Sequence, residues 1–427
     1  MKKNSTIRIA LLSSSLALTA CGDIFSLKQS NPGQLTADAV YQPANAQLLV
    51  NGAIADFECS FARYVVNNGL FMDELHDVIA SSSNYDIDRR ILFLTSPYAG
   101  GCGGVQTPGY YTAFSTARGT ADEAYKRLEG WTDAEVANRT RLMAQMAAYS
   151  GYSIVFLAEG MCSAAIDLSP ELTPAQLFTE AILRFDKAVT AATAANDQIT
   201  LNFARLGRAR AQRGAGNLAA AGTDAALIPA NFLVATSADA VNPRRQNMVF
   251  VHTVLNFYSS VDSSFRNLTL NGAPDPRVQV VNSGRTGTQT AAGQVWQASK
   301  YPLVTTPMPI ARYAEAQLIL AEARTAAGDL NGAATAINNA RNSGRTGMPQ
   351  FSAAGMTTAQ VLDQIIEERR RELFLEGHRL GDIRKYNLAL RPAAGTPYTI
   401  GGGTYGDLRC FPLPAVERNN NPNIAKG

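Results

Sequence analysis

The stretch ARLGRARAQRGAGNL, residues 204 to 218, aligns without gaps on AQLILAEARTAAGDL, residues 316 to 330. Ala204 falls on Ala316, Leu206 on Leu318, Ala209 on Ala321, Ala211 on Ala323, Gly216 on Gly328 and Leu218 on Leu330. Small residues at matching positions let two helix backbones approach closely, and a Gly-Asn/Asp-Leu step ends one helix and starts the next. This is the logic of a tetratricopeptide-like helical hairpin. The two copies lie far apart and each covers little more than one helix and its turn. The pattern therefore predicts several hairpins interrupted by a large irregular insertion, not a regular solenoid.

The wider sequence fits that division. From about 121 to 228, and again from 310 to 390, alanine, leucine and charged residues dominate with few breakers, whereas 81 to 111 and 229 to 305 are rich in Gly, Pro, Ser, Thr and Asn. The expected fold is all-α, with tetratricopeptide-like hairpins and a loop-rich region.

Within the second helical region, EERRRELFLEGHRLGDIRKY (367 to 386) concentrates charge in a chain that is only 17% charged. Thr357 and Gln360 form a capping box and Gly377 a stop, which predicts one helix from Thr358 to Glu376. Spaced at roughly 100° per residue, Val361, Leu362, Ile365, Ile366 and Leu373 share one sector. Arg369 falls near its centre, with Glu372 and Glu376 beside it. A charge there is costly unless paired, so Arg369 is expected in a salt bridge, with Glu372 as its nearest partner. Arg370 and Arg371 point away, with Glu367 in reach of Arg371. After Gly377, Leu380, Ile383 and Tyr386 predict a second short helix. The reading is a structural ion-pair network of Arg369, Glu372 and Glu376, not a catalytic group.

The N-terminus sets the compartment. Lys2, Lys3 and Arg8 precede or flank IALLSSSLALTA, an apolar run too short to span a bilayer and typical of a secretory signal. It ends at Leu18-Thr19-Ala20-Cys21, which resembles a bacterial lipobox. The expected organisation is a signal peptide over 1–20, a lipidated Cys21 with a tether over 21–36, and one domain over 37–427. Without the leader the chain carries 35 basic and 35 acidic residues, so no global field recruits nucleic acid. Anchorage is expected through lipid.

Cys59, Cys102, Cys162 and Cys410 remain, an even number outside the cytoplasm that allows three disulfide connectivities, with buried free thiols as the alternative. Paired Cys/His spacings are absent, so no metal site is assigned. GxSxG, HExxH and P-loop motifs are also absent, which leaves a surface hydrolase the weakest reading and no catalytic residue or cofactor to assign.

In order along the chain, the lipobox at Cys21, Asp275-Pro276-Arg277, Lys300-Tyr301, PIARYAEAQLILAEARTAAGDLNGAATAINNARNSG (309 to 344), IIEERRRELFLEGHRLGDIRKY (365 to 386) and FPLPAVERNNNPNI (411 to 424) resemble the SusD/RagB-like nutrient-uptake lipoproteins of the bacterial outer membrane. The resemblance implies an all-α fold with four tetratricopeptide-like hairpins as scaffold and a loop-rich half that carries the ligand. It also implies a SusC-like TonB-dependent transporter as partner, a glycan or peptide ligand, and no catalysis. The alternative is a helical-repeat scaffold lipoprotein that binds proteins.

Glycan binders use aromatic platforms, because sugar faces carry C–H groups that stack on rings. The loop-rich segments offer Tyr85, Tyr98, Tyr110, Tyr111 and Trp296 as ligand-binding candidates. For each, burial in the core is the competing role.

Overall fold

The computed structural model describes residues 36–103 and 109–425. The signal peptide, Cys21 and the tether up to residue 35 lie outside the described residues. The chain divides into two compact units, Met1–Asn45 and Ala46–Gly427. In the first, a turn of helix at Ala37–Val40 precedes a 3-10 turn at Pro43–Asn45, and the Asn45 amide donates to the carbonyls of Ala39 and Val40. All that follows concerns the second unit.

It opens with helix α1, Ala46–Phe71, which the sequence reading did not assign. Every residue from Phe57 to Phe71 is buried. A helix enclosed on all sides has no polar face, so it carries none of the 3.6-residue alternation by which helices are read. A short helix, α2 (Ser82–Asp88), follows strand β1 (Leu75–Asp77). Then come α3 (Tyr111–Gly130), packed on α1, and α4 (Arg139–Gly160), α5 (Pro174–Ala194), α6 (Gln198–Gly214) and α7 (Leu218–Ala225), each packed on its predecessor. A capping box of Thr173 and Gln176 starts α5, and Asp197 caps α6.

The second helical block contains α8 (Tyr313–Ala326), α9 (Leu330–Arg341), α10 (Thr358–Glu372) and α11 (Arg379–Lys385). The aligned repeats become the α6–α7 and α8–α9 hairpins. Gly216 and Gly328 turn them with φ of +87° and +80°, a conformation that a side chain resists. Although the 87 residues from 226 to 312 separate the hairpins, α7 packs on α8. A Cβ built on Gly222 would stand 2.6 Å from the Cβ of Ala323. Small residues thus allow the contact between the two blocks.

The intervening segment folds as short two-stranded ladders. Strand β2 (Leu233–Ala235) pairs with β8 (Pro309–Arg312), and β1 with β3 (Ser259–Val261). Strand β4 (Thr269–Leu270) pairs with β5 (Ala273–Pro274), and β6 (Val280–Thr286) with β7 (Gln294–Ala298). The helix Ala415–Asn420, α12, lies near the C-terminus.

Two disulfides, Cys59–Cys102 and Cys162–Cys410, choose one of the three connectivities and leave none of these four cysteines as a free thiol. The second joins the end of α4 to the C-terminal segment. There the Cys162 N–H donates to the Phe411 carbonyl at 2.8 Å and the Phe411 N–H to Gly160 at 2.9 Å.

Candidate functional site

The charged stretch is the densest polar feature, and its geometry is that of a joint between helices. The predicted capping box is present, but α10 ends at Glu372, not Glu376: Leu375 and Gly377 take left-handed conformations (φ +54° and +76°) and turn the chain into α11. That turn gives Arg369 a partner other than the expected Glu372. Its Nε donates to both carboxylate oxygens of Asp382 at 2.9 Å. Glu372 instead receives Arg312 at 2.9 Å and Arg345 at 2.5 Å, while Glu376 receives Arg312 and Lys300.

The network extends through the helical blocks. Arg213 on α6 bridges Asp382 and Glu322 at 2.8 and 2.6 Å, and Arg210 binds Glu159. Glu368 joins Arg341 to Arg277, which holds Asp275 of the DPR motif. Arg371 reaches Glu367 and Asp275, whereas Arg370 lies over the Phe265 ring at 4.2 Å. Burial pushes the Asp382, Glu376 and Glu322 carboxyls up, but adjacent guanidinium and ammonium groups outweigh it. All three are held below their ordinary values, Glu322 at about 2. Carboxylates held ionised and bound to cations in this way act as ion-pair partners between the helices.

The aromatic candidates separate into two groups. Tyr98, Tyr110 and Tyr111 are buried in the main core, which removes their ring faces from solvent and corrects their expected place on a ligand surface. Tyr98 donates to the Pro412 carbonyl at 2.9 Å and Tyr110 to Phe156 at 2.6 Å; the Tyr111 hydroxyl accepts from the Ala165 N–H. The rings of Tyr98 and Tyr110 also pack on Phe411. The segment that carries them looks loop-like in composition, yet Tyr111 is the first residue of α3.

Tyr85 and Trp296 are half-buried. Tyr85 on α2 donates to the Gly402 carbonyl at 2.6 Å, meets Tyr398 edge-on at 5.3 Å, and lies beneath the Arg89 guanidinium at 3.9 Å. Tyr398 in turn meets Tyr405 and donates to Asp88. Burial pushes Asp88 up to about 8. Tyr398, Tyr405 and Arg89 were missed as members of this cluster. The available signal was Gly401-Gly402-Gly403, all with positive φ, which lets the following segment fold back onto α2.

Trp296 lies on β7 opposite Asn282 of β6. Its backbone N–H donates to the Ser260 hydroxyl on β3 at 2.8 Å, and the Arg266 guanidinium stands 5.1 Å from its ring. Arg285, on β6, covers the Phe257 ring at 4.4 Å. The loop-rich part therefore presents aromatic rings accompanied by arginines, a combination that offers apolar area and hydrogen-bond donors together. The described residues also line cavities elsewhere, among them one of about 790 Å³ beside Leu94, Pro97, Cys102 and Val416, one of about 580 Å³ between residues 133–141 and 194–199, and one of about 400 Å³ beside Glu159, Phe178, Arg213 and Lys385. Among the described residues no helix is long and apolar enough to cross a membrane, and no cluster of His, Cys, Asp and Glu could hold a metal ion.

Residues 286–425 match the family model described as the SusD family. No curated protein matches the chain. In fold the chain is similar to a SusD superfamily protein from Bacteroides vulgatus ATCC 8482, at 16% identity over 90% of this chain and 98% of that one, with a TM-score of 0.66. A SusD-like carbohydrate binding protein from the same organism aligns at 17% identity over 90% and 98%, with a TM-score of 0.64. A SusD superfamily protein from Bacteroides fragilis aligns at 15% over 90% and 99%, with a TM-score of 0.65. At these identities the structural likeness is one of fold.

Proposed function

We infer, from the SusD/RagB-like character of this chain, that it is a cell-surface nutrient-binding lipoprotein, which captures an oligosaccharide and delivers it to a TonB-dependent outer-membrane transporter of the SusC type. The observation that carries the reading is the agreement of two independent likenesses: the family match over 286–425 and a SusD-like fold along nine-tenths of the chain. A neighbour described as a carbohydrate binding protein favours an oligosaccharide over a peptide.

In this reading residues 1–20 are the signal peptide, Cys21 carries the lipid, 21–36 form the tether, and 37–427 form the binding domain. The ion-paired helices supply a rigid frame, and Tyr85 and Trp296 supply sugar-facing aromatic surface. An oligosaccharide needs stacking area and fixed donors rather than an acid/base pair. Ligand is bound and passed on without bond cleavage.

The test has two arms. Cys21→Ala should move the protein from the membrane fraction to the soluble fraction, and affinity purification of the lipidated protein should recover a TonB-dependent barrel. Full membrane retention by Cys21→Ala would refute the anchor; repeated recovery without a barrel would refute the partnership.

A further inference from the structure

The helical blocks match their arginines to carboxylates almost one for one, but the arginines at the β6–β7 hairpin are matched to rings. Among the described residues no carboxylate lies within ion-pair distance of Arg266 or Arg285. Arg266 is held from one side only: its Nε and Nη2 donate to the Val261 carbonyl at 3.0 and 2.7 Å. The nearby Asp262 is committed elsewhere, accepting the Ser264 N–H at 2.8 Å to cap a turn, and acts on Arg266 only at longer range.

The outer edge of the Arg266 guanidinium, Nη1 with the second hydrogen of Nη2, is left with its donors pointing the same way. A guanidinium edge of that kind is the geometric complement of a carboxylate, which it binds through two parallel hydrogen bonds. The same side chain lies over Trp296, so a charged donor edge and an indole adjoin. On the same hairpin, three residues along β6 from the Asn282 that faces Trp296, Arg285 repeats the arrangement with Phe257. A neutral sugar would use the rings and leave both guanidinium groups without a direct ion-pair partner, Asp262 reaching Arg266 only at longer range, whereas a sugar bearing a carboxylate supplies one.

We propose that the surface formed by Trp296 and Arg266 takes an acidic oligosaccharide, with a uronate carboxylate on the outer edge of Arg266 and a pyranose ring against the indole. The proposal rests on the oligosaccharide-capture reading above and names the ligand class for that reading. Arg285, on the strand paired with that of Trp296, is a second cation on the same hairpin.

The test is calorimetry on the full chain with two ligand series of matched length, galacturonate oligomers and neutral malto-oligosaccharides. Wild type should bind the acidic series, more weakly as salt rises. Arg266→Gln should lose at least tenfold of that affinity, Arg266→Lys should retain part of it, and Trp296→Ala should weaken it. Circular dichroism of each variant separates lost binding from lost folding. If Arg266→Gln binds galacturonate oligomers as wild type does, or wild type binds only the neutral series, the acidic assignment is overturned while oligosaccharide capture stands. If neither series binds the folded wild type, the acidic assignment falls with the capture reading beneath it.

Discussion

Arg369 on α10 and Asp382 on α11 meet across the turn at Gly377, with the arginine Nε 2.9 Å from both carboxylate oxygens and both side chains buried. Asp382 also receives Arg213 from α6 at 2.8 Å, so one carboxylate ties three helices together. Removing Arg369 leaves Asp382 with Arg213 alone and the buried set one positive charge short in a poor solvent. Arg369→Ala should therefore cost about 3 to 5 kcal/mol in chemical denaturation, with ligand affinity of the folded fraction unchanged. Unchanged stability with lost binding would make EERRREL a ligand site instead of a joint.

Stability should depend on pH in two opposed ways. Glu322 titrates at about 2 against an ordinary 4.5, and Asp382 and Glu376 are also lowered. Their contribution is complete above the unfolded value and lost as pH falls through the folded one. Glu74 and Asp88 run the other way. Burial pushes each up to about 8, with the neighbouring Asp73 and Asp77 charges adding to the effect. The folded chain keeps those protons after the unfolded chain has released them, so this stability is lost as pH rises from about 4 to about 8. A melting-temperature profile should peak in mildly acidic buffer and fall on both sides; a plateau from about pH 5 to 9 would contradict the placement of Glu74 and Asp88.

The Cys162–Cys410 disulfide closes a sequence separation of 248 residues and fastens the C-terminal segment to the end of α4. Replacing both cysteines by serine should cost about 2 to 5 kcal/mol, read by urea unfolding under non-reducing conditions. A double variant as stable as wild type would show that the Phe411 backbone bonds hold that segment unaided.

Two helical glycines should respond oppositely to alanine. A Cβ on Gly207 would stand 2.3 Å from the Phe185 ring, so Gly207→Ala should destabilise by about 1 to 3 kcal/mol through overpacking. Gly119 in α3 has nothing within 4 Å of its Cβ position, and Gly119→Ala should gain about 0.5 to 1 kcal/mol from helix propensity. Thermal melts of the pair check the helix packing directly, and equal shifts would contradict it.

These features were not equally legible in the sequence. The hairpins showed through because a turn glycine followed by a capping Asn or Asp is a local signal, and so did the Thr357–Gln360 box that begins α10. Helix α1 did not, because burial of its whole circumference from Phe57 to Phe71 erases the periodicity there. Arg369 was correctly expected to be buried and paired, but helix periodicity can propose partners only on the same helix, and Asp382 arrives from the next one. Tyr98, Tyr110 and Tyr111 fail as ligand candidates for a related reason: composition cannot say on which side of a backbone a ring lies. The pairing of Trp296 with Arg266, thirty residues away, depends on how β7 packs beside β3. No local pattern announces that contact.

The central claim, oligosaccharide capture by the loop-rich surface, is tested most directly by calorimetric titration of the full chain with a panel of neutral and acidic oligosaccharides, beside its Trp296→Ala variant. Saturable binding by the wild type, weakened tenfold or more in a Trp296→Ala protein of unchanged circular dichroism, is the predicted result. A folded wild type that binds no oligosaccharide in the panel, or binds one with the same affinity after Trp296→Ala, would contradict it.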